Sequence, residues 1–424
     1  MMAHRTGSKQ LLRDLNKNIV LNLIAHGKSI SRSELARRSG LPGATITHIV
    51  NEFISAGLIN EVTEGTSGNG RPPLFLQLNA EAGYVIGVVI DVKLQEQRAQ
   101  IVVCDLSCTI IHSYEKVIGE DWTPYKVVES IAEGIKQCAQ EANVPLKRVL
   151  GVGVGLAGLI DSHRGICRYS PFFKWKNIEL GPALEFLLHI PVRIDNDVNT
   201  LTVAERQFGV GRDMTNFLMV VVGRGVGLGV VVGGEIYRGA RGGAGEFGHI
   251  KVDTREQAPL CHCGRRGCLE AFVSEYALVR AATGIDEESQ TDALLQQLIT
   301  RADAGDAAAL KIFTDAGNIL GSSLAHLIHL FDPVCIMLGR LPGKNLLLDP
   351  MKAAIACSPS LSQREEDPVQ MIQSIEDSNT QWLRGAASLI VRELFQPPLY
   401  DSQPRILIDD ILARTGRTPT RKRR

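Results

Sequence analysis

The chain has 424 residues, 44% of them hydrophobic, which is enough for two or three domains with sizeable cores. Its 46 Lys and Arg residues balance its 46 Asp and Glu residues, so the overall charge does not indicate any class of partner. The sequence contains no apolar run long enough to span a bilayer and no secretory signal at its N-terminus. We therefore predict a cytoplasmic protein with reduced thiols and no membrane partner.

Residues 11–78 have the pattern of a winged helix-turn-helix domain. The first predicted helix ends at Gly27 and carries an apolar stripe of Leu15, Ile19, Leu23 and Ile24. Ser31 and Glu34 form a capping box at the start of a second, short helix. An amphipathic third helix follows, and two short strands joined by a Gly-rich tip complete the pattern.

Residues 1–78 carry nine Lys and Arg residues but only five Asp and Glu residues, a local balance that favours DNA as the partner. We expect four arginine side chains to bind phosphates: Arg32, Arg37, Arg38 and Arg71. For Arg71, entry into a minor groove is the alternative. Small and hydroxyl side chains let the third helix approach base edges, and the predicted readers are Ala44, Thr45, Thr47 and His48. The alternative is a winged helix that binds protein.

Alternating strand and helix patterns predict an α/β body over residues 83–397. Three strands fill residues 83–116, and a buried strand then runs into a Gly-rich turn. Further along, a strand, a polar turn at 196–197 and a helix follow one another. Residues 398–424 are a C-terminal extension with a basic tail, which is either simply solvated or a supporting DNA contact.

Residues 249–268 contain one histidine and three cysteines: His249, Cys261, Cys263 and Cys268. Three thiolates and one imidazole make the closed tetrahedral set that is typical of structural zinc. The alternatives are a disulfide or unrelated thiols. A disulfide is disfavoured because the other six Cys are scattered and nothing marks the chain as secreted. We therefore predict one structural Zn²⁺ ion, in a loop that also fixes the carboxylates of Glu246 and Glu270.

The motif GEFGH followed by CHCGRRGCLE resembles the signature of the ROK family (repressors, open reading frames and sugar kinases). The N-terminal domain is similar to that of the family's transcriptional regulators. The resemblance implies an actin-like ATPase fold, with two α/β lobes and a sugar cleft between them. It also implies sugar contacts from Asn196, Asp197, Glu246, His249 and Glu270. The residue pattern alone leaves Asp197 open between a hydroxyl contact and a helix N-cap.

The chain departs from the family's kinases at three nucleotide motifs. Asp91–Gln95 reads DVKLQ where the kinases carry Asp-x-Gly-Gly-Thr, so the glycines that admit phosphates are missing. Arg224 stands in place of the Thr that meets the γ-phosphate, and Arg340 replaces the second of two glycines under adenosine. We therefore expect no catalytic residues and no enzyme activity.

The helix-turn-helix pattern and the family resemblance together imply a sugar-responsive transcriptional repressor, with operator DNA and a sugar effector as its partners. Because such domains bind near-palindromic sites as dimers, we expect a homodimer or homotetramer. Two alternatives stay open, namely a sugar kinase with an added DNA-binding arm and a repressor controlled by a partner protein. The role of Trp175 is also open, between stacking on a sugar and packing in the core.

Overall fold

The structure is a computed structural model that describes residues 9–26, 29–63, 74–93, 96–119, 123–171, 173–284, 291–358, 361, 367–375, 379–395, 408, 409 and 412. Arg71 and most of the C-terminal extension lie outside these residues. Among the residues described, no helix has both the length and the apolar character needed to cross a membrane.

The N-terminal domain consists of α1 (Lys9–His26), α2 (Arg32–Ser39), α3 (Gly43–Ser55), β1 (Ile59–Thr63) and β2 (Leu74–Leu78). The two strands pair antiparallel, as a winged helix-turn-helix requires. The Ser31 hydroxyl accepts a hydrogen bond from the Glu34 backbone N–H over 3.2 Å, so this half of the capping box is confirmed. The other half was wrong, because the Glu34 carboxylate pairs with Arg37 at 2.6 Å.

The buried face of α1 also differs from the predicted stripe. Its fully buried apolar residues include Val20, Leu21 and Ile24. The other three residues of the predicted stripe are only partly buried, namely Leu15, Ile19 and Leu23. The difference arises because α1 packs on two surfaces at once, the rest of the N-terminal domain and the last helix of the body.

The first lobe contains β3 (Tyr84–Lys93), β4 (Glu96–Asp105), β5 (Ile110–Val117), β6 (Val149–Leu156) and β10 (Val192–Asn196). These strands form one sheet in the order β10-β6-β3-β4-β5, in which β3, β6 and β10 are parallel. A small antiparallel sheet beside it consists of β7 (Leu159–Asp161), β8 (Ile166–Ser170) and β9 (Trp175–Ile178). Two helices of this part of the chain pack on the lobe, namely α4 (Pro124–Glu141) and α5 (Leu180–Leu188).

The second lobe repeats this strand order. Its strands are β11 (Phe217–Val222), β12 (Val226–Val232), β13 (Glu235–Ile236), β14 (Cys335–Gly339) and β15 (Ile372–Ser374). They lie in the order β13-β12-β11-β14-β15, with β11 at the centre as β3 is in the first lobe. Its helices are α7 (Glu270–Val273), α8 (Glu275–Thr283), α9 (Thr291–Asp303), α10 (Ala307–Phe331) and α11 (Lys344–Ala356).

Two helices join the lobes. The helix α6 (Asp197–Phe208) follows β10 of the first sheet but packs on β12 of the second. Conversely, α12 (Asn379–Phe395) follows the second sheet but packs on β3 and β6 of the first. The two helices touch at Gly385, where a Cβ atom would lie only 2.0 Å from the carbonyl oxygen of Thr200, so their close approach requires glycine.

Candidate functional site

The four predicted metal ligands meet at one point of the second lobe, and we call them the metal cluster: His249, Cys261, Cys263 and Cys268. Their ligand atoms all lie within 4.8 Å of one another. Cys263 Sγ and Cys268 Sγ are 3.7 Å apart, and Cys261 Sγ is 3.6 Å from His249 Nδ1. In a tetrahedral zinc site with ordinary bond lengths, these two separations are about 3.8 Å and about 3.6 Å. The donor set and its spacing therefore fit a zinc ion.

Short backbone contacts bring the cluster together. The histidine ends a single 3-10 turn, Phe247–His249, and Lys251 pairs with Cys268 in an isolated β-bridge. Gly267 adopts a φ of +78°, and a Cβ atom there would lie 1.9 Å from the carbonyl oxygen of Asp253. This turn therefore requires glycine.

The electrostatics of the thiols differ within the cluster. Although burial raises the pKa of Cys263, hydrogen bonds from the backbone and side chain of Arg265 outweigh burial and lower it. Burial raises the pKa of the Cys261 thiol, and the Glu270 carboxylate adds to this shift. A bound cation favours thiolates and would offset the rise in the pKa of Cys261.

A cleft with a volume of about 700 Å³ adjoins the cluster and is lined by residues of both lobes. This volume is in the usual range for small-molecule sites. The cleft is lined by all five predicted sugar-binding residues: Asn196, Asp197, Glu246, His249 and Glu270. The first two come from the junction of β10 and α6, and the other three come from the second lobe.

Asn196 caps α6, whereas Asp197 does not. Asn196 Oδ1 accepts a hydrogen bond from the Asn199 backbone N–H over 3.3 Å, and its Nδ2 donates to the Gly158 carbonyl over 3.1 Å. Asp197 is the first residue of the helix, and its carboxylate accepts from the Val198 backbone N–H over 2.9 Å. The N-cap alternative for Asp197 was therefore wrong.

The two carboxylates of the second lobe are held differently. Glu270 is buried, and it accepts hydrogen bonds from the Val226 backbone N–H over 3.1 Å and from the Cys261 thiol over 3.4 Å. Glu246 opens to the cleft, with Oε2 lying 3.8 Å from His249 Nε2. Desolvation by the cleft walls raises the pKa of Glu246; His249 opposes this shift and Glu270 adds to it. His249 thus directs one nitrogen to the metal cluster and the other towards a carboxylate, as metal-binding histidines commonly do.

Two of the residues that differ from the kinase motifs, Arg224 and Arg340, line the same cleft. Arg224 lies 3.7 Å from Asp292, and the Arg340 guanidinium lies 5.5 Å from the centre of the Trp382 ring. Arg340 has a φ of +42°, a conformation that favours glycine. Charged side chains therefore occupy this end of the cleft. The third motif that differs from the kinases is Asp91–Gln95, and its side chains lie outside the described structure.

The cleft also contains residues that the sequence analysis did not select. Phe173, Lys174 and His262 line it, and His262 packs edge-on against Tyr276 with ring centres 4.8 Å apart. The position of His262 between two metal ligands was the signal that could have revealed it. Trp175 is a core residue, because it is buried and stacks on Phe173 at 4.6 Å.

Most of the predicted DNA-binding side chains reach solvent. The exposed ones are Arg37, Arg38, Ala44, Thr47 and His48. Thr45 and Arg32 are partly buried, and the Arg32 guanidinium donates to Asn51 over 3.1 Å and to Glu61 over 2.8 Å. Arg71 lies outside the described residues. The surface of α2 and α3 is therefore accessible to a large partner.

Known proteins resemble the chain over most of its length. Residues 90–393 match the ROK family, and residues 12–60 match a winged helix-turn-helix DNA-binding family. The putative xylose repressor of Caldicellulosiruptor sp. (strain Rt8B.4) is 31% identical, over 79% of this chain and 85% of its own length. The DNA-binding transcriptional dual regulator NagC of Escherichia coli (strain K12) is 29% identical, over 78% of this chain and 82% of its own length.

Solved structures agree with this assignment. A ROK family transcriptional regulator, described as a homologue of the E. coli MLC protein, superposes with a TM-score of 0.78 and 26% identity over 95% of this chain and 100% of its own. The ROK hexokinase from Thermus thermophilus superposes with a TM-score of 0.60 and 27% identity over 73% of this chain and 99% of its own. The predicted fold, a winged helix-turn-helix followed by a two-lobed actin-like body, is confirmed. The chain therefore belongs to the ROK family and joins an N-terminal winged helix-turn-helix domain to the family's two-lobed body.

Proposed function

We propose that this chain is a sugar-responsive transcriptional repressor that binds operator DNA through α2 and α3 and a sugar in the cleft. One observation carries the proposal: the same chain joins an exposed helix-turn-helix surface to a cleft lined by five polar groups from both lobes. The two relatives compared by sequence are a repressor and a transcriptional regulator, and the solved structure that covers 95% of the chain is a regulator, which supports a regulator rather than an enzyme.

Hydroxyl recognition would fall mainly on Asp197, Glu246 and His249. A carboxylate accepts hydrogen bonds from sugar hydroxyls, and its charge strengthens each bond. The Nε2 atom of His249 points away from the metal cluster and can donate to a hydroxyl. Both polar atoms of the Asn196 side chain already bind backbone groups, and Glu270 is buried and bonded to Val226 and Cys261, so their main contribution would be to hold the cleft in shape.

We propose zinc as the ion of the metal cluster. The support is the match between the observed ligand spacing and a tetrahedral zinc site. A bound zinc would fix residues 249–268 with four strong bonds. The chain itself then presents Glu246 before the loop and Glu270 after it, so that both carboxylates face one cleft.

We also propose that the repressor acts as a homodimer or homotetramer. Helix-turn-helix domains read two half-sites about one helical turn apart, and two-fold symmetry of the protein matches a near-palindromic operator.

A repressor that answers to a partner protein would have the same domains but no sugar affinity.

Operator binding with and without sugar tests the proposal. DNA selected from a random pool by the purified chain is titrated in the presence of D-xylose, N-acetyl-D-glucosamine or D-glucose. We expect sequence-specific binding that one sugar weakens. Binding without sequence preference would contradict a repressor. Specific binding that ignores sugars, together with no sugar-induced rise in melting temperature, would favour the partner-protein alternative. Release of ADP from ATP and a sugar would establish a kinase.

A further inference from the structure

A buried ion pair, Asp195 with Arg238, joins the two lobes next to the proposed sugar site. Asp195 belongs to β10 of the first lobe and is 2% exposed. Arg238 follows β13 of the second lobe, and its side chain is 19% exposed. Its Nε and Nη2 atoms donate to Asp195 Oδ2 over 2.7 Å and 2.5 Å. Burying two charges costs free energy, so such a pair is weak evidence for stability and suggests a geometric role.

The second oxygen of Asp195 holds the turn that carries Asn196 and Asp197. Its Oδ1 accepts from the Asn196 backbone N–H over 2.8 Å and from Asn199 Nδ2 over 3.0 Å. One buried carboxylate therefore binds the first lobe's site residues through one oxygen and the second lobe through the other.

At the other end of the pair, Arg238 anchors the loop that leads to Glu246. The Ala244 backbone N–H donates to the Arg238 carbonyl over 3.2 Å, which closes the loop. Gly245 then accepts from the Leu228 backbone N–H over 3.2 Å, and Glu246 comes next in the chain. The position of Glu246 relative to Asp197 thus depends on where the guanidinium holds the carboxylate.

We propose that Asp195 and Arg238 are positioning residues that set the distance across the cleft between the carboxylates of Asp197 and Glu246. Both lie outside the lining of the cleft, so they act through the turn and the loop rather than by touching the ligand. The expected effect on sugar affinity rests on the proposed function. The coupling between the turn at 196–199 and the loop at 239–246 can be measured without a sugar.

A second ion pair in the same region provides a control. Arg392 of α12 pairs with Glu235 of β13, and burial lowers the pKa of Arg392 while Asp195 opposes that shift. Glu235 is largely exposed and contacts neither the turn at 196–199 nor the loop at 239–246 through any hydrogen bond among the described residues. Glu235→Gln therefore removes a charge from the same border but leaves the hydrogen bonds between Asp195, Arg238 and the turn in place.

Hydrogen exchange of the sugar-free full chain tests the coupling directly. We expect Asp195→Asn to speed amide exchange in residues 239–246 of the opposite lobe, and Arg238→Gln to speed exchange in residues 196–199. Glu235→Gln should leave both segments as in the wild type. Unchanged exchange in the opposite lobe for both variants would overturn the proposal. A uniform rise over the whole chain would also overturn it, because that result indicates general destabilisation.

Sugar affinity provides the second readout, with D-xylose, N-acetyl-D-glucosamine and D-glucose as probes in calorimetric titrations. For the sugar that the wild type binds, we expect Arg238→Gln to weaken binding about tenfold or more, since a binding site tolerates little displacement of its polar groups. The double variant Asp195→Asn, Arg238→Gln removes both charges and should regain stability but not affinity. Affinity that returns together with stability would overturn the positioning role. If the wild type binds none of these sugars, the proposed function fails for them, while hydrogen exchange still decides this inference.

Discussion

At the scale of single residues, substitution of Cys263 tests the proposed metal site. Replacing Cys263 with Ser removes one of the four proposed ligands, so we expect about one zinc per wild-type chain and far less in the variant, with a lower melting temperature. Elemental analysis of the purified proteins and thermal unfolding measure both effects. Cys357→Ser is the matched control, because Cys357 is an exposed free thiol outside the cluster. Full zinc content in Cys263→Ser would contradict the ligand assignment.

Substitution of a second residue, Asp197, tests the proposed sugar response. Because Asn196 supplies the cap of α6, we expect Asp197→Asn to keep the fold, the zinc and operator binding without sugar. The neutral amide forms weaker bonds to hydroxyls than a carboxylate does, so the sugar should change operator affinity less than in the wild type. Operator titrations with and without the sugar measure this change. A wild-type response in Asp197→Asn would exclude this carboxylate from the site.

Residue identities were predictable from the sequence where chemistry and spacing alone define them. The grouping of the four side chains of the metal cluster is such a case, because thiols and an imidazole at short intervals are typical of a metal site and the structure brings them together. The cap of α6 was harder. Asn196 and Asp197 are adjacent, both are good caps, and the choice depends on a helix start that sequence locates only to within a few residues.

The helix α3 is the element that we expect to read DNA. Arg38 on the neighbouring α2 is exposed, so Arg38→Ala should weaken binding to all sequences alike and flatten the dependence of log affinity on log salt by about one. Thr47 is exposed on α3, and Thr47→Ala should instead change which bases are preferred. Binding to a randomised operator library at several salt concentrations separates these effects. A Thr47→Ala variant that loses affinity with unchanged base preference would argue against α3 as the reader.

Element types were predicted well, whereas the contacts of α1 were not. Lys17 and Asn18 are polar residues outside the predicted apolar stripe, yet both are buried. Asn18 donates to the Leu394 carbonyl over 3.1 Å, and Asn22 donates to the Phe395 carbonyl over 2.7 Å, so α1 caps the end of α12. Periodicity within a helix carries no information about a partner more than 300 positions away, which is why this surface was missed.

At the scale of the whole molecule, the C-terminal extension reaches back to the N-terminal domain. Lys17 is 2% exposed and pairs with Glu52 and with Asp409, each at 2.7 Å. Ile408 lies in the same hydrophobic cluster as the core of the N-terminal domain. We expect deletion of residues 398–424 to lower the melting temperature and weaken operator binding, although the predicted DNA contacts of residues 11–78 are all retained.

A shorter deletion separates packing from charge. Removing only residues 413–424 deletes most of the basic tail but keeps Ile408 and Asp409, so its melting temperature should stay near that of the wild type. Thermal unfolding and operator titration of both truncations provide the comparison. If the longer deletion melts like the shorter one, the extension does not stabilise the N-terminal domain.

The pairing of Lys17 with Asp409 also has a consequence for synthesis. The two residues are 392 positions apart, so the ribosome makes the DNA-binding domain well before the segment that completes its core. At about 5–20 residues per second, this delay is roughly 20–80 s. During that time the emerging chain already has α2 and α3 but lacks the α12 surface on which α1 rests. Unfinished chains should therefore compete poorly for the operator, which would confine repression to molecules whose translation is complete.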